Sequence, residues 1–331
     1  MQEQTPHTSS PDSTPHVGGK SLLSDAKREY SVKTNWSTFV DQQMTGHTAS
    51  QLLSNQIPVV RAKGFLTPEE CEKMLAILKT HEIVSMGVEV SSRDQAGDAD
   101  HVCPDKTRYF HDVSKARSLQ HRWKTEAGID ILERVAGKVQ EVTGVPTRVA
   151  KKGDKEYFAG LVRAADKGIS IHADWKPYVK FDCHQCEASV AAVAQEENHG
   201  SGAGTTQSSK GWTVTNIAAQ LSWNIVLNPV YGGETIIYDR VWDAPADEQA
   251  WQKEIDFDTY HKKMLEGRPF KVMLPVPGGL AFFNTRNFHE VLPCDTSRKH
   301  PVPETRYTVS SFIGYKPPRD ETDPGALVLW S

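Results

Sequence analysis

Cysteine is scarce in this 331-residue chain: Cys71, Cys103, Cys183, Cys186 and Cys294 are all there is. An odd handful of thiols in a long chain is not a disulfide framework. Cys183 and Cys186 form one C-x-x-C around His184. A structural zinc site takes four ligands, commonly as two such pairs, and no second pair stands at suitable spacing. The motif reads as two thiols in a polar loop, with metal or redox chemistry as the alternative. Long apolar runs are also missing. No stretch approaches the ~18 residues of a membrane span. The N-terminus, MQEQTPHTSSPDSTPH, lacks the basic-then-apolar pattern of a secretory leader. A cytoplasmic protein is expected. Neither sign of charge dominates, since 38 Lys and Arg face 42 Asp and Glu for a net −4. That excludes a global electrostatic footprint for nucleic acid or anionic lipid. The expected partner is a small molecule, with no nucleic acid and no membrane.

What is present changes along the chain. Residues 1–20 are rich in Ser, Thr, Pro and His. They carry too little apolar surface to order themselves and read as a disordered tail. Residues 21–331 read as a single domain, with helical support over about 55–146 and a jelly-roll core over about 147–331. Structure is expected to begin at the short apolar run Ile57-Pro58-Val59-Val60. Thr67, Pro68 and Glu70 then form an N-cap, a first-turn proline and a capping box. Cys71, Met74, Leu75 and Leu78 follow on one helical face. A second helix is predicted around 127–143, with Ile131, Leu132, Val135, Val139 and Val142 on its apolar side. Gly144 and Pro146 stop it.

Beyond residue 147 the texture is β-branched and aromatic, with turns between short runs. Strands are predicted at 156–164, 168–172, 216–227, 234–238, 270–274, 280–284, 289–292, 306–315 and 326–330. This is the texture of a mainly β jelly roll with flanking helices. Two segments interrupt it. Residues 183–213 include the flexible stretch NHGSGAGTTQSSKG, and 241–268 is polar, with a surface helix predicted at 248–265.

The chemistry sits in His172-Ala173-Asp174. Positions i and i+2 of a strand share a face, so both side chains can grip one metal. Two histidines and one carboxylate leave open positions on a non-haem iron. Alone, H-x-D is a weak signal in a chain with 13 His. His101 and the His111-Asp112 pair read as solvated loop residues. Downstream, Pro277-Gly278-Gly279 turns into the apolar strand Leu280–Asn284 and leads to His289-Glu290-Val291. Arg306 and Thr308 follow, again at i and i+2. An arginine fork and a hydroxyl aimed the same way receive a carboxylate. A strand-edge salt bridge to Glu304 is the competing reading of Arg306.

In that order, H-x-D, G-G-E-T, P-x-P-G-G-L-x-x-F-N, H-E-V and R-x-T resemble the Fe(II)/2-oxoglutarate-dependent oxygenase superfamily. The F-L-T-P-E-E-C entry is similar to its prolyl-hydroxylase-like branch. Gln220-Leu221-Ser222, Tyr231-Gly232-Gly233-Glu234, R-Y-T-V-S-S-F and the closing Leu329-Trp330-Ser331 resemble the freestanding welwitindolinone-type alkaloid halogenases. The resemblance runs over about 55–331 and is specific only within these motifs.

It implies a double-stranded β-helix of the cupin-like kind. His172, Asp174 and His289 would bind Fe(II). Arg306, helped by Thr308, would hold the distal carboxylate of the cosubstrate 2-oxoglutarate, and O2 would be the oxidant. The halogenases replace the carboxylate of H-x-D with a small residue, whereas Asp174 is present here. The expected reaction is therefore oxygenation of an unactivated C–H bond of a small molecule in specialised metabolism, with desaturation or cyclisation as related outcomes. Collagen-type prolyl hydroxylases use Lys where this chain has Arg306, which weakens a peptidyl-prolyl substrate without removing it. A non-oxygenase cupin-like metal enzyme and a vestigial binding module are the other readings. Asn284, Asn287 and Glu290 are candidates to orient His289. Ser222 and Asn224 are candidates to meet cosubstrate or substrate. Trp175, Tyr178, Trp223 and Tyr238 read first as core aromatics and second as pocket residues.

Overall fold

Alternation along the strands builds two facing sheets with a cavity between them, beside a separate two-stranded ribbon. The computed structural model describes residues 32–81, 88–91, 113, 117–174, 214, 217–243, 246–247, 262–295, 305–320, 322–323 and 325–331. The larger sheet has the spatial order Gln42–Gln43, Val59–Ala62, Leu280–Asn284, Ala219–Val226, Arg306–Lys316, Ala326–Trp330 and Thr147–Val149. Leu161–Ala165 pairs with the first half of the long strand Arg306–Lys316, and Val88–Ser91 runs parallel beside it. The smaller sheet is antiparallel throughout: Phe270–Met273, Thr235–Val241, Asn287–Val291 and Ile169–His172. This is a mainly β jelly roll with few helices, as the strand texture predicts.

The strand Leu280–Asn284 shows how the layers form. Leu280 and Phe282 point to one face and pack with the helices in the largest core cluster. Ala281 and Phe283 point to the other and meet Ile237 and Met273 of the smaller sheet. All five residues are buried because both faces of the strand are covered. No described helix is long and apolar enough to cross a membrane.

The helices form where local chemistry starts and stops them. Thr67 and Glu70 make the reciprocal capping box before Pro68–Lys79. The helix Ile131–Thr143 starts from an Asp130 cap and ends at Gly144 with φ 70°. It begins later than expected because a separate helix, Ser118–Ala127, precedes it and is closed by Gly128 at φ 74°. Order also begins before Ile57: Gln42–Gln43 joins the sheet edge and Gly46–Leu53 is helical. Its cap pairs Thr45 with Thr48 in place of the usual Glu or Gln. The strand expected at 156–164 is confined to Leu161–Ala165, since Lys155–Glu156 pairs instead with Lys151–Lys152. Of the surface helix expected at 248–265, only the 3-10 turn Lys262–Leu265 lies among the described residues. The N-terminal tail, His101, His111, Asp112, Trp175, Tyr178, Cys103, and Cys183 with Cys186 lie outside them.

Trp123 ties two of these helices together. It is fully buried, and its indole N–H donates to Met74 O at 3.0 Å. Trp123→Ala leaves a cavity and removes that hydrogen bond. Unfolding by denaturant should lose about 3–5 kcal/mol of stability.

Candidate metal centre

The smaller sheet brings two histidines face to face. His289 and His172 are direct cross-strand partners, a register that sets side chains ~5 Å apart. Their ring centroids lie 4.1 Å apart. Asp174 follows the end of its strand. Its backbone N–H donates to Thr285 O at 3.0 Å, and Gln220 Nε2 donates to its carbonyl at 3.3 Å. The carboxylate is thereby turned back to the rings. Oδ1 stands 3.7 Å from His172 Nε2, and Oδ2 stands 3.4 Å from His289 Nε2. One donor atom from each residue lies within 4.8 Å of the others, so the three could hold one metal ion.

The protonation pattern suits a metal. His172 Nδ1 lies 2.7 Å from Ser170 O, and His289 Nδ1 lies 2.9 Å from Asn287 O. A carbonyl only accepts, so each Nδ1 carries a hydrogen and each Nε2 is the nitrogen turned to the carboxylate. Burial, aided by the neighbouring His289, holds His172 down to about 4. Burial acts to raise the Asp174 carboxyl, but His172 and the hydrogen bond to His289 outweigh it and hold it at about 2. Two imidazole nitrogens and one carboxylate are the donor set of a 2-His-1-carboxylate iron site. Phe283, from the facing sheet, packs edge-on to His289 at 4.9 Å.

Arg306 and Thr308 stand on the larger sheet, and both line the space between the sheets. Arg306 is 6% exposed. Its Nη1 donates to Gly233 O. Burial lowers its pKa; Cys294 acts against that shift and the nearby Arg163 adds to it. A guanidinium stays charged even so. Among the described residues no carboxylate pairs with it, which is the state of a receptor for an external anion. Glu304, the partner considered from sequence, lies outside the described residues.

Other expectations resolve differently. Asn224 lines the cavity and donates to Ser222 Oγ at 3.2 Å. Trp223 is wholly buried in the core on the helix side of the sheet. Tyr238 donates to Glu290 at 2.6 Å, and burial and Glu290 both raise its pKa. The Asn284 side chain accepts from the Arg286 backbone N–H, and Asn287 exchanges hydrogen bonds with Asn55 at 2.7 and 3.1 Å. His289 is therefore oriented by the backbone carbonyl of Asn287 and not by any of the three side chains proposed. Sequence reasoning missed Arg163. It pairs in register with Thr308 and donates to Ser310 Oγ at 2.6 Å. Its charge acts on His172, Asp174 and Arg306. The signal was available, since Leu161, Arg163 and Ala165 alternate on one strand face.

No family model matches the chain. Leucinostatins biosynthesis cluster protein S of Purpureocillium lilacinum is 38% identical over 228 residues, 68% of this chain and 80% of that protein. Among solved structures, an N-substituted L-amino acid dioxygenase of Burkholderia ambifaria AMMD in complex with α-ketoglutarate aligns with a TM-score of 0.50. The alignment is 12% identical and covers 86% of this chain and 91% of that one. At that identity the likeness concerns the fold.

Proposed function

This chain belongs to the same family as leucinostatins biosynthesis cluster protein S, and from that premise we propose that it is an Fe(II)- and 2-oxoglutarate-dependent dioxygenase. It would oxidise a C–H bond of a small molecule in specialised-metabolite biosynthesis. The observation that carries this reading is the His172, Asp174, His289 cluster, with donor atoms within 4.8 Å of one another. The metal-loaded site would supply oxygen activation coupled to decarboxylation of 2-oxoglutarate to succinate and CO2.

The chain's own residues bind, orient and shield. His172 and His289 present Nε2 lone pairs fixed by their Nδ1 hydrogen bonds to backbone carbonyls. Asp174 supplies the negative charge. Arg306 and Thr308 would fix the distal carboxylate of 2-oxoglutarate from the opposite sheet, which sets the reactive end against the triad. Asp174 also occupies the position that a halogenase leaves open for chloride. That favours oxygenation over halogenation.

Anaerobic addition of Fe(II) and 2-oxoglutarate to the protein should give a visible metal-to-ligand charge-transfer band, and admission of oxygen should yield succinate. Absence of both sinks the reading. Gly233 offers a quieter check. Its φ is +71°, and a Cβ there would meet Arg306 Cδ and Cys294 Sγ, each at 3.3 Å. Gly233→Ala should displace Arg306 and raise the KM for 2-oxoglutarate roughly tenfold, inside the ~10²-fold that a 1 Å misplacement can cost. An unchanged KM would show that Arg306 does not grip the cosubstrate.

A further inference from the structure

The cavity lined by Arg306 and Thr308 is also lined, from beyond two intervening strands of the sheet, by a second arginine, Arg61. The cavity encloses about 310 Å³ of empty space, including solvent at its mouth. Arg61, Ala281 and Asn224 are neighbours in register across three strands, and all three face this space. Alanine in the middle of that row leaves room for the guanidinium to extend. Gly279 of the turn lies beside it, where a Cβ would be in ordinary contact with Arg61 Nη1 at 3.5 Å.

Arg61 is 4% exposed, so its charge is held inside the protein. Nε donates to Asp41 Oδ2 at 2.9 Å, and Nη2 donates to Leu274 O at 3.1 Å. Among the described residues Nη1 has no hydrogen-bond partner. Asp41 is shared, because its Oδ1 lies 3.0 Å from Lys271 Nζ. A carboxylate accepts about four hydrogen bonds. Arg306 already spends one N–H on Gly233 O, so Arg306 and Thr308 leave room for a further donor on such a group.

We propose that Arg61 is a second guanidinium of the anion pocket and, with Arg306, grips the distal carboxylate of the dicarboxylate cosubstrate. This rests on the 2-oxoglutarate reading above. It makes Arg61 a specificity residue: it senses the group that separates 2-oxoglutarate from 2-oxopentanoate, which carries a methyl at that end. The competing role is structural, with Arg61 serving only to hold Asp41 and the segment around it.

Anaerobic calorimetry on the full Fe(II)-loaded chain separates the two. Arg61→Gln should weaken 2-oxoglutarate binding about tenfold or more, the range of a lost charge-assisted hydrogen bond, and leave the weaker binding of 2-oxopentanoate unchanged. Arg61→Lys, which keeps the charge but loses the fork, should fall between. Asp41→Asn relieves Arg61 of its counter-charge and should hold or tighten 2-oxoglutarate binding. A structural role predicts the opposite: Asp41→Asn and Arg61→Gln weaken both ligands alike. If Asp41→Asn does not fold, the comparison of Arg61→Lys with Arg61→Gln on the two ligands decides. Equal 2-oxoglutarate affinity in wild type and Arg61→Gln overturns the role of Arg61 alone. A wild type that binds no 2-oxoglutarate overturns the cosubstrate assignment and this role with it.

Discussion

Asp174→Ala is expected to abolish the charge-transfer band in chloride-free buffer and to reduce succinate formation to background. Of the three donors only Asp174 brings charge. His172 has its pKa lowered by burial, and its cross-strand partner offers Nε2, since its Nδ1 is engaged with Asn287 O. Removing the carboxylate removes one donor and, among the described residues, the charged member of the cluster. The loss of metal affinity should exceed the ~10–100-fold typical of deleting a partner that merely orients a ligand. The chloride-free condition matters because a small residue at this position leaves a space that a halide can fill. Asp174→Asn separates charge from shape: it keeps the size of the side chain and should be nearly as damaged. Equilibrium Fe(II) binding, followed by the band, checks both. An Asp174→Ala protein that binds iron as tightly as wild type would remove Asp174 from the ligand set.

Arg306→Leu should raise the KM for 2-oxoglutarate by about 10²-fold, with a smaller change in the rate at saturating cosubstrate. The loss of a buried, hydrogen-bonded charge against a charged ligand costs ~2–5 kcal/mol. Leucine fills similar space without a donor, so the fold should persist, and Gly233 O loses its partner. Arg306→Lys should recover part of the affinity, because an ammonium replaces the fork with a point charge. Steady-state kinetics on succinate release read both variants. If Arg306→Leu keeps the wild-type KM, the anion is held elsewhere in the cavity.

Much of this architecture could be read from residue order. The strand Leu280–Asn284 is bounded as its apolar run predicts. The Thr67-Pro68-Glu70 start signal marks the helix where it forms. His172 and Asp174 do face one another, but the strand ends at His172, and contacts to Thr285 and Gln220 rather than strand alternation place Asp174. What escaped the sequence has identifiable causes. The helix Ser118–Ala127 carries His, Arg, Lys and Glu around only two buried anchors, Leu119 and Trp123, so its period was faint. The Thr45–Thr48 cap uses a hydroxyl where capping boxes usually show a carboxylate or amide. The orienting partners of both histidines are backbone carbonyls, which no residue type advertises. Arg61 lies far in sequence from His172, Asp174, His289 and Arg306. Only the pairing of Val59–Ala62 with Leu280–Asn284 delivers it to the cavity.

The cross-strand register of His172 with His289 has a thermodynamic side. Among the described residues Ile169–His172 is an edge strand with a single neighbour and an irregular register against it. Its end is where two of the three donors sit. In the denatured ensemble the third donor, His289, is far from them, so an ion distinguishes native chain from unfolded chain and contributes RT ln(1 + [M]/Kd), ~2.7 kcal/mol at a hundredfold excess over Kd. That linkage acts where the small sheet is most weakly tied. An ion held there serves as a rivet for the sheet's outermost strand, and a chelator would fray the jelly roll from that edge before it touched the helices.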